Sequence, residues 1–185
     1  MAVTQLCFVR DLCAFPVNVR PYQPTDLARV IEIYTASIHS LAAPFYSPEQ
    51  ITAWAPAGPN AGRWQKRLAP LHTVVAEENG VLAGFVSYTH KGYLDFLFTH
   101  PAFARRGVAT QLYRHVESVL RTANVPSVFT HASLAARSFF DRQRFRLDAE
   151  ENVECRGAYL RRFAMHKPLR DERSARQSAS LSGNG

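Results

Sequence analysis

The chain has 185 residues, enough for one well-buried core rather than two. Nearly half of it is apolar (46%) and a fifth charged (20%), with no run approaching the roughly 20 apolar residues that a membrane span needs. A net charge of +7 and a pI near 9.7 admit a polyanionic partner. No zinc-finger spacing or RNA-binding sheet signature accompanies that charge, so a nucleic-acid reader is disfavoured.

In chain order, MAVTQLCFVRDLCAFP carries Arg10 and Asp11 where a secretory signal would be apolar. Residues 1–16 therefore read as an N-terminal extension of a cytoplasmic protein. Cys7, Cys13 and Cys155 are odd in number and lack ligand spacing, so they read as reduced packing thiols and no metal is expected. NVRPYQ predicts a short strand and a Pro-marked turn. A helix follows, with Thr25 or Asp26 at its cap and Leu27, Val30, Ile31, Tyr34 and Ile38 on one face. SPEQITAWA opens a second helix, with Ser47 as cap and Pro48 at the first position. APAGPNAGRW is a loop, and RWQKRLA a short amphipathic helix.

LHTVVAEE and VLAGFVSYTH are strands joined at ENG, and YLDFLFTH is a third. RRGVATQLYRHVESVLRTAN is the best helix, striped by Val108, Leu112, Val116, Val119 and Leu120. PSVFTHAS is a strand, LAARSFFDRQRF a helix with Phe139 or Phe140 inward, and RGAYLRRFAMHKP a final strand stopped at Pro168. The order β-α-α-β-β-β-α-β-α-β-β predicts a mixed α/β sheet, whose helical crossover from YLDFLFTH to PSVFT joins parallel strands. Residues 169–185 are small, polar and aperiodic, and read as a disordered tail.

HPAFARRGVATQL thus falls where a strand hands over to a helix. The first N–H groups of a helix lack intrahelical partners and carry the positive end of its dipole. Gly107 lets a ligand approach the backbone, and Arg105 or Arg106 adds charge-assisted bonds. The stretch is neither a P-loop nor a dinucleotide fingerprint, lacking the Lys-Ser/Thr pair of one and the three glycines of the other. The residues alone leave two readings open, a phosphate site and a plain basic helix start.

LDFLFTHPAFARRGVATQLY resembles the acetyl-CoA motif of the GNAT superfamily of N-acetyltransferases. There a V-x-P-like triplet, here Thr99-His100-Pro101, runs into Q/R-x-x-G-x-G/A, here Ala104-Arg105-Arg106-Gly107-Val108-Ala109. Ala104 departs from the pattern. A second block places Ser133 at the family's Asn, Phe140 at its Tyr and Arg144-Phe145 at its Gly-Phe. The resemblance covers residues 17–168. YSPEQITAWAP, GYLDFLFTHP and RGAYLRRFAMHKPL are similar to a bacterial subgroup whose acceptors are mostly unassigned.

The resemblance implies a mostly antiparallel sheet flanked by helices, with the parallel strands YLDFLF and PSVFT splayed apart. It implies acetyl-CoA as co-substrate, an amine acceptor attacking the thioester within a ternary complex, and no metal; a homodimer stays open. The pyrophosphate would lie on the amides of Arg106, Gly107, Val108, Ala109 and Thr110, beside Arg105, with Thr99, Ser133 and Phe140 along the rest of the cofactor. Phe98 would offer its N–H to the thioester carbonyl. Asp95, mid-strand among apolar neighbours, and His131, ending its strand beside the cleft, are the candidate bases. Phe140 cannot donate a proton, so Tyr159 or Tyr46 would protonate the thiolate unless it leaves unaided. Tyr46 and Trp54, with Phe45 and Trp64, are the candidate acceptor contacts. A silent acyl-CoA-binding module is the alternative that Phe140 motivates, with a basic nucleic-acid-binding domain third.

Overall fold

The computed structural model describes residues 17–170. The expected extension 1–16, and the expected tail 169–185 apart from Leu169 and Arg170, lie outside the described residues; Leu169 departs from the expected disorder, being buried with its N–H donating to the Pro126 carbonyl. The elements are β1 (Asn18–Pro21), α1 (Leu27–Ser37), α2 (Pro48–Trp54), α3 (Ala61–Leu68), β2 (His72–Glu78), β3 (Val81–Tyr88) and β4 (Tyr93–Thr99). They continue with α4 (Val108–Thr122), β5 (Ser127–Ser133), α5 (Arg137–Arg142), β6 (Arg146–Cys155) and β7 (Ala158–Pro168).

The expected order omits the short helix read at RWQKRLA, which the structure shows as Ala61–Leu68, a third helix between β1 and β2 whose first turn is capped by the Asn60 side chain accepting from Arg63 N–H. Asp26 also differs from expectation. It precedes α1, but its carboxylate accepts from Gln23 N–H and from Arg20 rather than from the helix. Ser47 caps α2 as its sequence predicts, accepting from Gln50 N–H while the Gln50 side chain returns to Ser47 N–H.

The seven strands lie in the order β1-β2-β3-β4-β5-β7-β6, antiparallel everywhere except β4 beside β5. The α4 crossover explains the parallel pair, since two parallel neighbours need a long connection. The sheet separates two cores. α4 buries Val108, Leu112, Tyr113, Val116 and Leu120 on one face, with Phe140 and Phe145 from the α5 region. α1 buries Leu27, Val30, Ile31, Ile33 and Tyr34 on the other, above Phe85 and Phe96. Each fully covered leucine or valine contributes about 1.5–3 kcal/mol. β3, covered on both faces, reads almost continuously apolar.

Two irregularities in β4 shape the site. Leu94 pairs with Tyr88 and Phe96 with Ser87, so Asp95 is an extra residue in the ladder, a β-bulge. Beyond the bulge, β4 leaves β5. Only Tyr93 and Leu94 pair with that strand, opposite Phe129 and Thr130, and the Thr130 hydroxyl donates to the Leu94 carbonyl at 2.9 Å. The rest of β4 and β5 bound a wedge-shaped opening.

Candidate active site

A cavity of about 560 Å³ fills the wedge, reaching from β4 and β5 across to α2, α3 and β7. The bulge sets Asp95 beside Phe96 on its wall, and Arg67 reaches both. A guanidinium nitrogen stands 3.8 Å from the Asp95 carboxylate, and the group lies 4.3 Å from the Phe96 ring centroid. Burial pushes the Asp95 carboxyl above the ordinary aspartate range, against the opposing pull of Arg67 and His131. His131 lines the same cavity. Its Nδ1 is 3.2 Å from the Tyr93 hydroxyl and its Nε2 3.7 Å from Glu151, which in turn accepts from Arg162 at 2.8 Å.

Following β4 in the chain, Gly107 begins α4 in the left-handed region, at φ +86°. The first helical bond runs from Gln111 N–H to the Gly107 carbonyl, and no side chain caps the turn. The N–H groups of Gly107, Val108, Ala109 and Thr110 therefore lack intrahelical acceptors. Arg105 is left-handed too, at φ +65°, so the loop bends on both sides of Arg106. A Cβ at Gly107 would meet nothing within 4 Å, leaving open space for a ligand. Arg105 is exposed. Arg106 turns inward to the buried carboxylate of Glu78, whose second oxygen has no partner. The Thr99 hydroxyl at the end of β4 is likewise buried and unpartnered.

Of the expected catalytic and acceptor residues, the structure leaves Tyr159, Phe45 and Trp64 outside the cavity lining. Asp95, His131, Phe98, Ser133, Phe140, Tyr46 and Trp54 all line the cavity, while Thr99 ends β4 and Arg105, Arg106, Gly107, Val108, Ala109 and Thr110 form the loop and helix start that follow it, outside the lining. Tyr159 is not brought in. It is 64% exposed and lies outside the cavity lining, whereas its neighbour Leu160 faces inward, as alternation along a strand requires. The Tyr46 hydroxyl lines the cavity but is engaged on both sides, donating to the Arg161 carbonyl at 2.7 Å and accepting from Leu134 N–H at 2.9 Å.

Phe98 needs correction as an amide donor. His100 N–H donates to the Ala83 carbonyl, and the ladder runs unbroken from there to Phe98 opposite Phe85. Antiparallel pairs alternate, so the Phe98 N–H turns toward β3 and the Leu97 N–H turns toward the wedge. Leu97 also lines the cavity. Phe140 is buried against Phe145 with ring centroids 4.9 Å apart, and the Ser133 hydroxyl accepts from Ala136 N–H at 3.2 Å.

Sequence reasoning missed Leu97, Arg67, Tyr93, Glu151 and Glu78. Only Arg67 had a legible signal, lying one helical turn from Arg63 and three residues from Trp64. Among the described residues, no three or more His, Cys, Asp or Glu side chains form a metal-holding group, and no helix is long and apolar enough to cross a membrane.

The family model of the GNAT acetyltransferase domain matches residues 42–169. The chain belongs to the GNAT acetyltransferase family. It is 35% identical over 153 residues to the uncharacterized N-acetyltransferase YafP of Escherichia coli, spanning 82% of this chain and 97% of that protein. Among solved structures, a GCN5-related N-acetyltransferase from Rhodopseudomonas palustris superposes with a TM-score of 0.78 at 32% identity, covering 82% of this chain and 94% of the other. The paia N-acetyltransferase of Thermoplasma acidophilum, solved in complex with coenzyme A, shares the fold at a TM-score of 0.62 and 19% identity, covering 83% and 99% of the two chains. This GNAT enzyme carries a bulged β4, a wedge between β4 and β5 and an uncapped start of α4.

Proposed function

We propose that this GNAT enzyme transfers the acetyl group of acetyl-CoA to a primary amine held in the cavity, by direct attack in a ternary complex. The observation that carries the reading is the uncapped start of α4, with bare amides, open space at Gly107 and a buried orphan hydroxyl at Thr99 beside it. Such a helix start suits a diphosphate. Arg105 adds charge from the exposed side, and Glu78 fixes Arg106 so that the loop keeps its bend. Acetyl-CoA supplies the acetyl group as a thioester. The Leu97 N–H is the donor for the thioester carbonyl. Asp95 takes the proton of the attacking amine, and His131, joined to Tyr93 and Glu151, carries it outward. The new C–N bond forms as the C–S bond breaks, and the thiolate departs unaided, since the single Tyr46 proton is held by the Arg161 carbonyl.

Replacing Gly107 by Val tests the cofactor site. A β-branched residue at φ +86° is strained and fills the space above the amides. Calorimetric affinity for acetyl-CoA should fall more than about 100-fold, because each lost charge-assisted bond costs about 1.5–3 kcal/mol. Unchanged affinity would overturn the assignment.

A second reading has its own observation, since apolar Phe140 fills the position where the family carries Tyr. It describes a protein that binds acyl-CoA and transfers nothing. Thiol release with a panel of amines, after acetyl-CoA binding is demonstrated, separates the two.

A further inference from the structure

The cavity wall carries five arginines, Arg63, Arg67, Arg156, Arg161 and Arg162, against two carboxylates, Asp95 and Glu154. Arg161 is paired with Glu150 at 2.5 Å and Arg162 with Glu151 at 2.8 Å. Arg156 donates to the carbonyls of Ala53 and Trp54, closing the end of α2. Arg63 and Arg67 remain, one turn apart on α3 and both lining the cavity. Among the described residues, the Arg63 side chain has no hydrogen-bond or ion-pair partner. Arg67 lies over Phe96 and stops 3.8 Å short of Asp95, beyond hydrogen-bond reach. Like charges spaced in this way on a helix repel by about 0.2–0.5 kcal/mol, and the one ion pair to either is the 3.8 Å contact of Arg67 with Asp95. Tyr34, Trp54 and Phe96 supply apolar surface beside them.

We propose that the acceptor is a small amino-carboxylate, a primary amine bearing a carboxylate a few atoms away and an apolar or aromatic remainder. The inference rests on the cavity being the acceptor site, as proposed above. The ammonium end meets Asp95, the carboxylate meets Arg67 and Arg63 with the fork geometry that guanidinium offers, and the remainder packs on the aromatic wall. A zwitterion laid along the Asp95–Arg67 pair meets opposite charges at both ends. A polyamine placed there would set its second cation against two arginines.

The test titrates the full chain, saturated with coenzyme A, with L-leucine, L-phenylalanine and the carboxamide of each, by calorimetry. Each acid should bind at least about tenfold more tightly than its amide. R63Q and R67Q should each shrink that ratio, and the double variant should bring it close to one. Because Arg67 also packs on Phe96, R67K keeps stem and charge and should retain most of the preference, with thermal melts confirming that each variant folds. Amides that bind as well as the acids, no binding by either member of both pairs, or a ratio that survives in the double variant would each overturn the proposal. The readout is binding, not turnover. Acids that bind selectively while releasing no thiol would sink the acetyl-transfer reading and leave the charge preference standing.

Discussion

Asp95 shows how one residue's chemistry follows from one extra position in a ladder. The bulge turns it toward the cavity, and partial burial there disfavours its charged form. A base must be deprotonated to act, so its rate falls as the pH drops through its own pKa. For Asp95 that pKa lies above the ordinary value of about 3.9, and the acid limb of kcat should appear correspondingly higher. Arg67 opposes the shift by favouring the carboxylate. R67Q should therefore move the acid limb to higher pH, and D95N should lower kcat by about 10²–10⁴, the usual worth of a positioned base. A pH–rate series on the three proteins checks both, and an R67Q limb that moves to lower pH would contradict the assignment.

At the scale of elements, α4 works because β3 makes room for it. A Cβ on Gly84 would stand 2.7 Å from the Phe98 carbonyl and 2.9 Å from Val108 Cγ1, so glycine lets the start of α4 press onto the sheet. G84A should destabilise the fold by about 1–3 kcal/mol, as overpacking does, and should weaken acetyl-CoA binding by displacing Val108. A denaturant midpoint and a titration measure the two effects. A stable variant with intact binding would show that the close contact is dispensable. The strands and helices themselves were legible because period 2 and period 3.6 are local properties, as the Val108–Leu120 stripe illustrates. What depends on register was not. Nothing in YLDFLFT announces that Asp95 is a bulge, because the extra residue exists only relative to β3. The same holds for Phe98 and Leu97, whose amides exchange roles with a one-residue change of pairing, and for Tyr159, which alternation turns away from the cavity.

At the scale of the whole molecule, ion pairs join segments far apart in the sequence among the described residues. Arg161 and Arg162 are paired with Glu150 and Glu151 on the neighbouring strand, and Lys167 with Glu117. Two such clamps hold distant parts together. Arg20 joins β1 to both Asp26 and Glu77, and Glu117 ties α4 to Lys167 on β7. Hydrogen bonding from Arg20 holds the Asp26 carboxyl below its usual range. Burial would raise Glu117, but Lys167 and Arg121 outweigh it and keep it low. A carboxylate with a lowered pKa in the folded state binds fewer protons than in the unfolded chain. Its stabilisation is thus present above about pH 4 and lost as the pH falls through the lowered value. Thermal stability should hold from pH 8 to about pH 5 and then decline. D26N leaves Arg20 short of one charged partner and should cost about 1–3 kcal/mol at neutral pH, with the deficit closing as the wild-type carboxylate protonates. A D26N deficit that stays constant down to pH 2 would show that the clamp works through shape rather than charge.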